Sequence, residues 1–102
     1  MKGIIWGLTY ERGCRQMDKL IDQYNRAGYS VIRSRKTNIN YEVLFDNQDH
    51  WIVTRANESA RGRASNIAYV DSKISVDFYN NIIKFTLKCL PYTAVNYFYL
   101  ED

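Results

Sequence analysis

The fold is decided by residues 40–74, which read NYEVLFDNQDHWIVTRANESARGRASNIAYVDSKI. Tyr41, Val43 and Phe45 alternate with Glu42 and Leu44, a spacing of two that is typical of a β-strand with one buried face. The polar turn DNQD and the apolar run WIVT follow, so the first half of the stretch predicts a β-hairpin. A loop that contains glycine comes next. The stretch then predicts a buried strand at 66–70, and Asp71 stands at its carboxyl end.

A strand, a helix and a second strand precede this stretch. The apolar run IIW at 4–6, between two glycines, predicts a buried strand. A helix is predicted over residues 12–27, because apolar side chains recur there at intervals of three and four, and Gly28 follows as a stop signal. The run YSVI at 29–32 predicts a strand that continues into Arg33. We expect a βαβ unit whose two strands are parallel.

The C-terminal part of the chain predicts a second helix and a last strand. Apolar residues at helical spacing predict a largely buried helix over residues 76–90. Its expected buried stripe consists of Phe78, Ile82, Phe85 and Cys89. Pro91 ends the pattern, and aromatic and β-branched residues at 95–100 predict the last strand.

These elements predict a single α/β domain over residues 1–102. We expect three layers, with a mainly parallel sheet, a β-hairpin at one edge of the sheet and two principal helices. Both helices are expected to share one core with the sheet. The expected members of that core are Met17, Leu20, Ile21, Ile67, Val70, Phe78 and Ile82.

Composition excludes several classes of protein. A hydrophobic content of 46% with 15% aromatic residues indicates a folded core rather than disorder. The net charge of +3 permits contact with nucleic acid or an acidic protein without requiring it. Cys14 and Cys89 fit no metal-binding spacing, so both are expected to be reduced and packed, and no cofactor is predicted. We expect a cytoplasmic protein without membrane contact, since no run reaches about 18 apolar residues and no signal peptide is recognisable.

The strand that ends on Asp71 and the Arg-Gly loop before it resemble the ATPase core of viral DNA-packaging terminase large subunits, which has a RecA-like P-loop NTPase fold. Residues 55–72, RANESARGRASNIAYVDS, carry the resemblance, and the order of elements extends it over residues 3–99. The resemblance implies that Asp71 is the remnant of a magnesium site. Ser72 replaces the Glu that activates water in that family, which implies a shortened core without hydrolysis. Without the resemblance, Asp71 is expected to cap the next turn.

The connection between the first strand and the first helix has the position of a phosphate-binding loop. Its sequence is GLTYERGCR at 7–15, whereas such a loop requires GxxxxGK[ST]. The two glycines are one residue too far apart, and Cys14 and Arg15 replace the Lys and the hydroxyl residue. Gly13 and Arg15 are the residues left to contact a phosphate. The alternative is a structural turn that happens to keep two glycines.

Two groups of cations are the other candidates for a binding site. One group follows the second strand and the other surrounds the Arg-Gly loop. They comprise Arg33, Arg35, Lys36, Arg55, Arg61 and Arg63. We expect them to emerge at related edges of the sheet and to contact backbone phosphates or an acidic protein. The alternative is an ordinary solvated basic surface. His50, the single histidine, lies at a turn, and no catalytic residue is predicted.

The sequence therefore predicts a catalytically silent accessory protein of a phage or mobile element. It is expected to bind nucleic acid, or a host protein that processes nucleic acid, through its basic loop. The alternative is a protein-directed inhibitor of a host defence nuclease, of the anti-CRISPR or anti-restriction type. Residual ATPase activity is the last alternative, and it would require Asp71 to hold a metal ion.

Overall fold

Six strands form one mixed sheet in a computed structural model, which describes residues 1–57, 64–87 and 94–100. The strands are β1 (Lys2–Gly7), β2 (Val31–Lys36), β3 (Tyr41–Phe45), β4 (His50–Arg55), β5 (Ile67–Asp71) and β6 (Ala94–Phe98). The helices are α1 (Tyr10–Arg26) and α2, which comprises the consecutive segments Val76–Phe78, Tyr79–Ile83 and Lys84–Thr86. The strand order is β2-β3-β4-β1-β5-β6.

The sheet divides into a parallel part and an antiparallel part. Strands β4, β1, β5 and β6 are parallel neighbours, whereas β2, β3 and β4 pair antiparallel. The α/β class is therefore confirmed, but the prediction of a mainly parallel sheet is wrong. The physical reason is the short connection between β2 and β3, in which the Thr37 N–H donates to the Asn40 carbonyl at 2.7 Å. A connection this short can join only antiparallel strands.

The same turn explains where β2 lies. This strand runs in the direction of β1, as predicted for a βαβ unit, but β3 and β4 separate the two strands. The predicted β3–β4 hairpin is confirmed, and its turn places Gln48 at φ 72°. Its predicted position at an edge is wrong, because β2 pairs with β3 and takes the edge itself.

Helix α1 follows the predicted pattern and begins slightly earlier. Thr9 is its N-cap, and the Thr9 Oγ1 accepts the Arg12 N–H at 3.2 Å. Gly28 follows the helix at φ +96°, the left-handed conformation that the stop signal predicted. Among the described residues, no helix is long and apolar enough to cross a membrane.

The hydrophobic residues form two clusters rather than the single predicted core. Successive side chains of a strand point to opposite faces, so β1 places Ile5 in one cluster and Ile4 with Trp6 in the other. The first cluster includes Met17 and Leu20 of α1. The second includes Val70, Ile82 and Ile83, with Phe78 packed against it. The expected core residues are therefore divided between the two clusters.

Helix α2 differs from the prediction because its turns are not uniform. Residues Tyr79–Ile83 form a π-helical segment, which changes the spacing of buried positions. As a result Ile82 and Ile83 are buried, whereas Phe85, predicted on the buried stripe, is 78% exposed. The helix ends at Thr86, since Leu87 is extended and bridges to Ser65. The predicted continuation through Cys89 to Pro91 lies outside the described residues, and the three-layer arrangement stays a prediction.

The two clusters predict equal sensitivity to truncation on both faces of the sheet. Leu20→Ala and Ile83→Ala each remove a side chain that is at most 1% exposed. Each variant should lower the free energy of unfolding by about 2–5 kcal/mol, because buried aliphatic truncation leaves a cavity. Urea denaturation followed by circular dichroism measures this loss.

Val76→Ala is the matched control, because Val76 is in α2 but largely exposed. Its free energy of unfolding should change by no more than about 0.5 kcal/mol. A loss below about 1 kcal/mol for both Leu20→Ala and Ile83→Ala would show that these clusters are not the core.

Candidate functional site

A buried ion pair lies at the carboxyl edge of the parallel strands. Asp71 ends β5 and is fully buried, and Arg12 reaches it from the first turn of α1. The Arg12 Nε donates to Asp71 Oδ2 at 2.6 Å, and Nη2 donates to Oδ1 at 2.9 Å. This two-point geometry is the strong form of a guanidinium–carboxylate contact.

Backbone groups complete the environment of the carboxylate. The Leu8 N–H donates to Asp71 Oδ2 and the Lys73 N–H donates to Oδ1, each at 3.1 Å. The contact to Lys73 confirms the expectation that Asp71 caps the next turn. Together with Arg12, these donors use the four acceptor sites that a carboxylate offers. In this arrangement Asp71 holds a guanidinium where the terminase resemblance places a magnesium site.

The pKa of Asp71 reflects opposing effects of this environment. Burial alone would raise the pKa of the carboxyl group. The Arg12 hydrogen bonds, the two backbone N–H donors and the Arg12 charge lower the pKa, and together they outweigh the effect of burial. The pKa is therefore below its ordinary value, and the carboxylate is ionised at neutral pH. No group of three His, Cys, Asp or Glu side chains suited to a metal ion occurs in the part of the chain that the structure describes.

The two glycines of the β1–α1 connection serve close packing. A Cβ on Gly7 would come within 3 Å of the Thr9 carbonyl oxygen, and one on Gly13 would collide with Val53. The Gly13 N–H donates to the Thr9 carbonyl at 3.2 Å, so it belongs to the helix. Arg15 is exposed on α1 and has a partner of its own. This geometry supports a structural turn, and contact of Gly13 and Arg15 with a phosphate stays a prediction.

The cations of β2 form a second, exposed feature. Arg33 is paired with Leu44 of β3, and Arg35 is paired with Glu42. The alternate residues of β3 pack in the cluster that contains α1, so Leu44 and Glu42 point to the opposite face of the sheet. Arg33 and Arg35 therefore project from the face opposite α1. That face carries a groove of about 420 Å³. Its lining residues are Arg33, Ser34, Arg35, Glu42, Leu44 and His50.

Two further contacts define the charge around this groove. The His50 Nε2 lies 3.5 Å from Glu42 Oε2, and both side chains line the groove. Lys36 lies on the other face, with its Nζ 4.8 Å from the centre of the Tyr41 ring. Burial, and the hydrogen bond to Asp18, raise the pKa of Tyr41 to about 12, so this ring stays uncharged beneath the ammonium group.

The structure brings only some of the predicted cations together. Arg33, Arg35 and Lys36 lie on one strand, and exposed Arg55 ends β4. Lys36 and Arg55 are the last residues of β2 and β4, which run in the same direction. The two residues therefore lie at the same end of the strands, with β3 between them. Arg61 and Arg63 lie outside the described residues.

A polar aromatic network lies at the start of β4, at the other end of the strand from Arg55, and the sequence did not predict it. The Trp51 Nε1 donates to the Tyr24 hydroxyl at 3.0 Å, and that hydroxyl donates to Asp49 Oδ2 at 2.7 Å. Burial and the Asp49 hydrogen bond raise the pKa of the Tyr24 phenol. The ring of Tyr24 stacks on Phe45 at 3.9 Å between centres. The network joins α1 to the β3–β4 hairpin, and nothing in the sequence indicates it, because its members are far apart along the chain.

Arg12 is the other residue that sequence analysis missed. A buried Asp at the end of a strand requires a compensating cation, and this requirement is the one signal that could have indicated Arg12. The sequence does not say which of several nearby arginines fills the role.

Comparison with known proteins adds no relative: no family model, no curated protein and no solved structure matches the chain. The resemblance to terminase ATPase cores therefore stays a hypothesis that rests on residues 55–72. The structure describes the two ends of this segment but not residues 58–63.

The buried ion pair predicts a specific response to acid. The pKa of Asp71 is lowered in the folded state, so ionised Asp71 stabilises the fold above the ordinary aspartate pKa of about 3.9. This stabilisation is lost as the pH falls through the lower, folded-state pKa. Asp71→Asn leaves Arg12 with no charge partner at Asp71, and it should lower the free energy of unfolding at pH 7 by about 3–5 kcal/mol.

The measurement is urea denaturation between pH 7 and about pH 2.5, with Asp22→Asn as the control because Asp22 is exposed on α1. The control should keep the wild-type free energy of unfolding at pH 7 and lose as much of it in acid as the wild type does. Asp71→Asn should lose less of its free energy of unfolding between pH 7 and about pH 2.5. An Asp71→Asn protein as stable as wild type at pH 7 would rule out this role of the ion pair.

Proposed function

We propose that this chain is a catalytically silent accessory protein of a phage or mobile element, acting in the cytoplasm. In this proposal it binds nucleic acid, or a complex that processes nucleic acid, through a basic surface. The described members of this basic surface are Arg33, Arg35, Lys36 and Arg55, and Arg61 and Arg63 are proposed to extend it. The supporting observation is that Arg33 and Arg35 project from one face of an edge strand into an open groove.

The chemistry of the groove fits the phosphate backbone better than the bases. Residues two apart on a strand are about 6.6 Å from each other, so two guanidinium groups can contact different phosphates of one strand. The described residues that line the groove include the His50 imidazole but no Phe, Tyr or Trp ring for base stacking. Binding through this groove should therefore be steeply salt-dependent and indifferent to base sequence.

The carboxyl edge supports the proposal that the protein is not an ATPase. In nucleotide motors, the connection after the first strand holds the phosphates on backbone N–H groups. Here the corresponding Leu8 N–H donates to Asp71, and Arg12 fills the space beside it. A shortened terminase-like core with this edge closed by an ion pair accounts for the order β1, α1 and Asp71 at the end of a central strand.

A protein-directed inhibitor of a host defence nuclease is the second candidate. The observation that favours it is the position of the cations on an edge strand, where an acidic segment of a partner could also add as a strand. The two candidates differ in their response to salt and in stoichiometry. Binding to random-sequence DNA with a steep salt slope supports the first, whereas tight one-to-one binding of a single nuclease without DNA supports the second.

The basic groove predicts a loss of DNA binding when its two arginines are neutralised. Arg33→Gln/Arg35→Gln should weaken binding of a random-sequence single-stranded DNA by at least about tenfold at low salt, because each lost charged hydrogen bond costs about 1.5–3 kcal/mol. The slope of log K against log salt should decrease by about 1.4 for two lost phosphate contacts. Fluorescence anisotropy at several salt concentrations measures both quantities.

Lys19→Gln/Arg26→Gln is the matched control, since both residues are exposed on α1 and the change in net charge is identical. This control should lose much less affinity than the groove variant. Equal losses in the two variants would mean that only net charge matters, and the proposed groove would then be wrong.

The closed carboxyl edge predicts no ATP turnover. A steady-state assay with Mg²⁺ should give hydrolysis at the level of a protein-free blank, because the Lys and the activating Glu of P-loop motors are absent. Magnesium-dependent turnover that Arg15→Gln reduces would contradict this prediction and would restore Arg15 as a phosphate ligand.

A further inference from the structure

Strand β6 ends the sheet on the side opposite to β2, and the backbone groups of two of its five residues point outward. The Ala94 N–H donates to the Asn66 carbonyl at 3.1 Å, and the Phe98 carbonyl accepts the Ser72 N–H at 2.9 Å. These residues therefore direct their backbone groups toward β5. Because the direction alternates along a strand, Val95 and Tyr97 direct their N–H and C=O groups away from the sheet. Among the described residues, no strand pairs with this side of β6.

The side chains of this edge lack the features that usually prevent pairing. Natural edge strands are protected by charged residues, proline or bulges. Residues 94–100 read AVNYFYL and contain no charge and no proline. Tyr97 is 54% exposed and Tyr99 is 76% exposed, although both carry large aromatic rings. This edge therefore has the character of a surface that pairs with another strand.

The two edges of the sheet differ in what they can accept. Antiparallel pairing of β2 with its own copy would bring Arg33, Arg35 and Lys36 against the same cations, which is unfavourable. The same pairing of β6 opposes only uncharged side chains. A second copy of this chain is thus a suitable partner for β6 but not for β2.

We propose that two copies of this chain associate through antiparallel pairing of their β6 strands, which forms one continuous sheet of twelve strands. With Asn96 at the two-fold axis, Val95 of each copy lies opposite Tyr97 of its partner. Both residues have outward backbone groups, so they form a hydrogen-bonded pair. An aromatic ring opposite a β-branched side chain is also a favourable cross-strand pair.

The two-fold axis of this pairing is perpendicular to the sheet, so equivalent faces of the two copies lie on the same side of the extended sheet. Helix α2 is next to the edge, since the ring of Tyr79 lies 6.3 Å from that of Tyr97. The α2 helices of the two copies therefore flank the paired strands on one face.

The size of the contact determines how strong the association is. A pair of five-residue strands alone falls in the class of small interfaces, below about 1,200 Å². Such interfaces form weak, reversible complexes. The dimer should therefore be populated only at higher protein concentration, and it leaves the basic surface on β2 of each copy at the two far ends of the extended sheet.

The test is sedimentation equilibrium of the wild-type protein from about 1 µM to about 500 µM, a range that covers weak dimers. The apparent mass should rise from that of one chain to that of two. Tyr97→Lys should raise the dissociation constant at least about tenfold, because an edge lysine opposes strand pairing. Ile32→Lys, an equally exposed apolar residue on the β2 edge, should leave the constant unchanged within about twofold.

Hydrogen exchange of the wild-type protein provides a test that does not depend on variant folding. The outward amides of Val95 and Tyr97 should exchange at least about tenfold more slowly at the highest concentration than at the lowest. A protein that stays monomeric throughout, a dimer that Tyr97→Lys leaves intact in folded protein, or outward amides unaffected by concentration would each overturn the proposal.

Discussion

The contact between Arg12 and Asp71 is the constraint on which the arrangement of the carboxyl edge depends. It joins the first turn of α1 to the end of β5, and the same carboxylate binds the backbone of the β1–α1 connection through Leu8. These contacts join the end of β5 to residues that lie 63 and 59 positions earlier in the chain. An isolated buried carboxylate would be costly, so Asp71 and Arg12 are tolerated only as a pair.

This pair also occupies the position at which the proposed terminase resemblance would place a magnesium site. An edge that binds phosphates must offer free N–H groups and a mobile cation, whereas here the cation and the Leu8 N–H are engaged by Asp71. We therefore propose that ligands bind at the outer surface. Strand β2 at one edge of the sheet carries three cations, two of them beside an open groove, whereas the described residues of β6 at the other edge carry none. This difference underlies both proposals.

Local patterns in the sequence predicted the elements whose formation depends on neighbouring residues. The apolar spacing of α1, the glycine after it and the turn chemistry before His50 were sufficient for the helix and the hairpin. Strand order was not predictable in the same way. The apolar run of β2 does not indicate which strand it pairs with, and the tight turn after Lys36 pairs it with β3.

The remaining errors have similar physical causes. A π-helical segment cannot be recognised from apolar spacing alone, so Phe85 was predicted on the wrong face of α2. The partner of Asp71 depended on three-dimensional proximity, which the sequence near Arg12 does not indicate. The candidate cations of β2 are neighbours along the chain, but their division between the two faces of the sheet could not be predicted without the register with β3.

We propose that ligands bind at the groove beside Arg33 and Arg35 and not at the carboxyl edge that the ion pair closes. The most direct test is a nuclear magnetic resonance titration of the wild-type protein, first with ATP and Mg²⁺ and then with single-stranded DNA. We expect no specific chemical shift changes with ATP. With DNA, we expect amide shift changes that concentrate in β2, β3 and the start of β4. Shifts that concentrate instead at Leu8, Arg12 and Lys73 with either ligand would contradict the proposal.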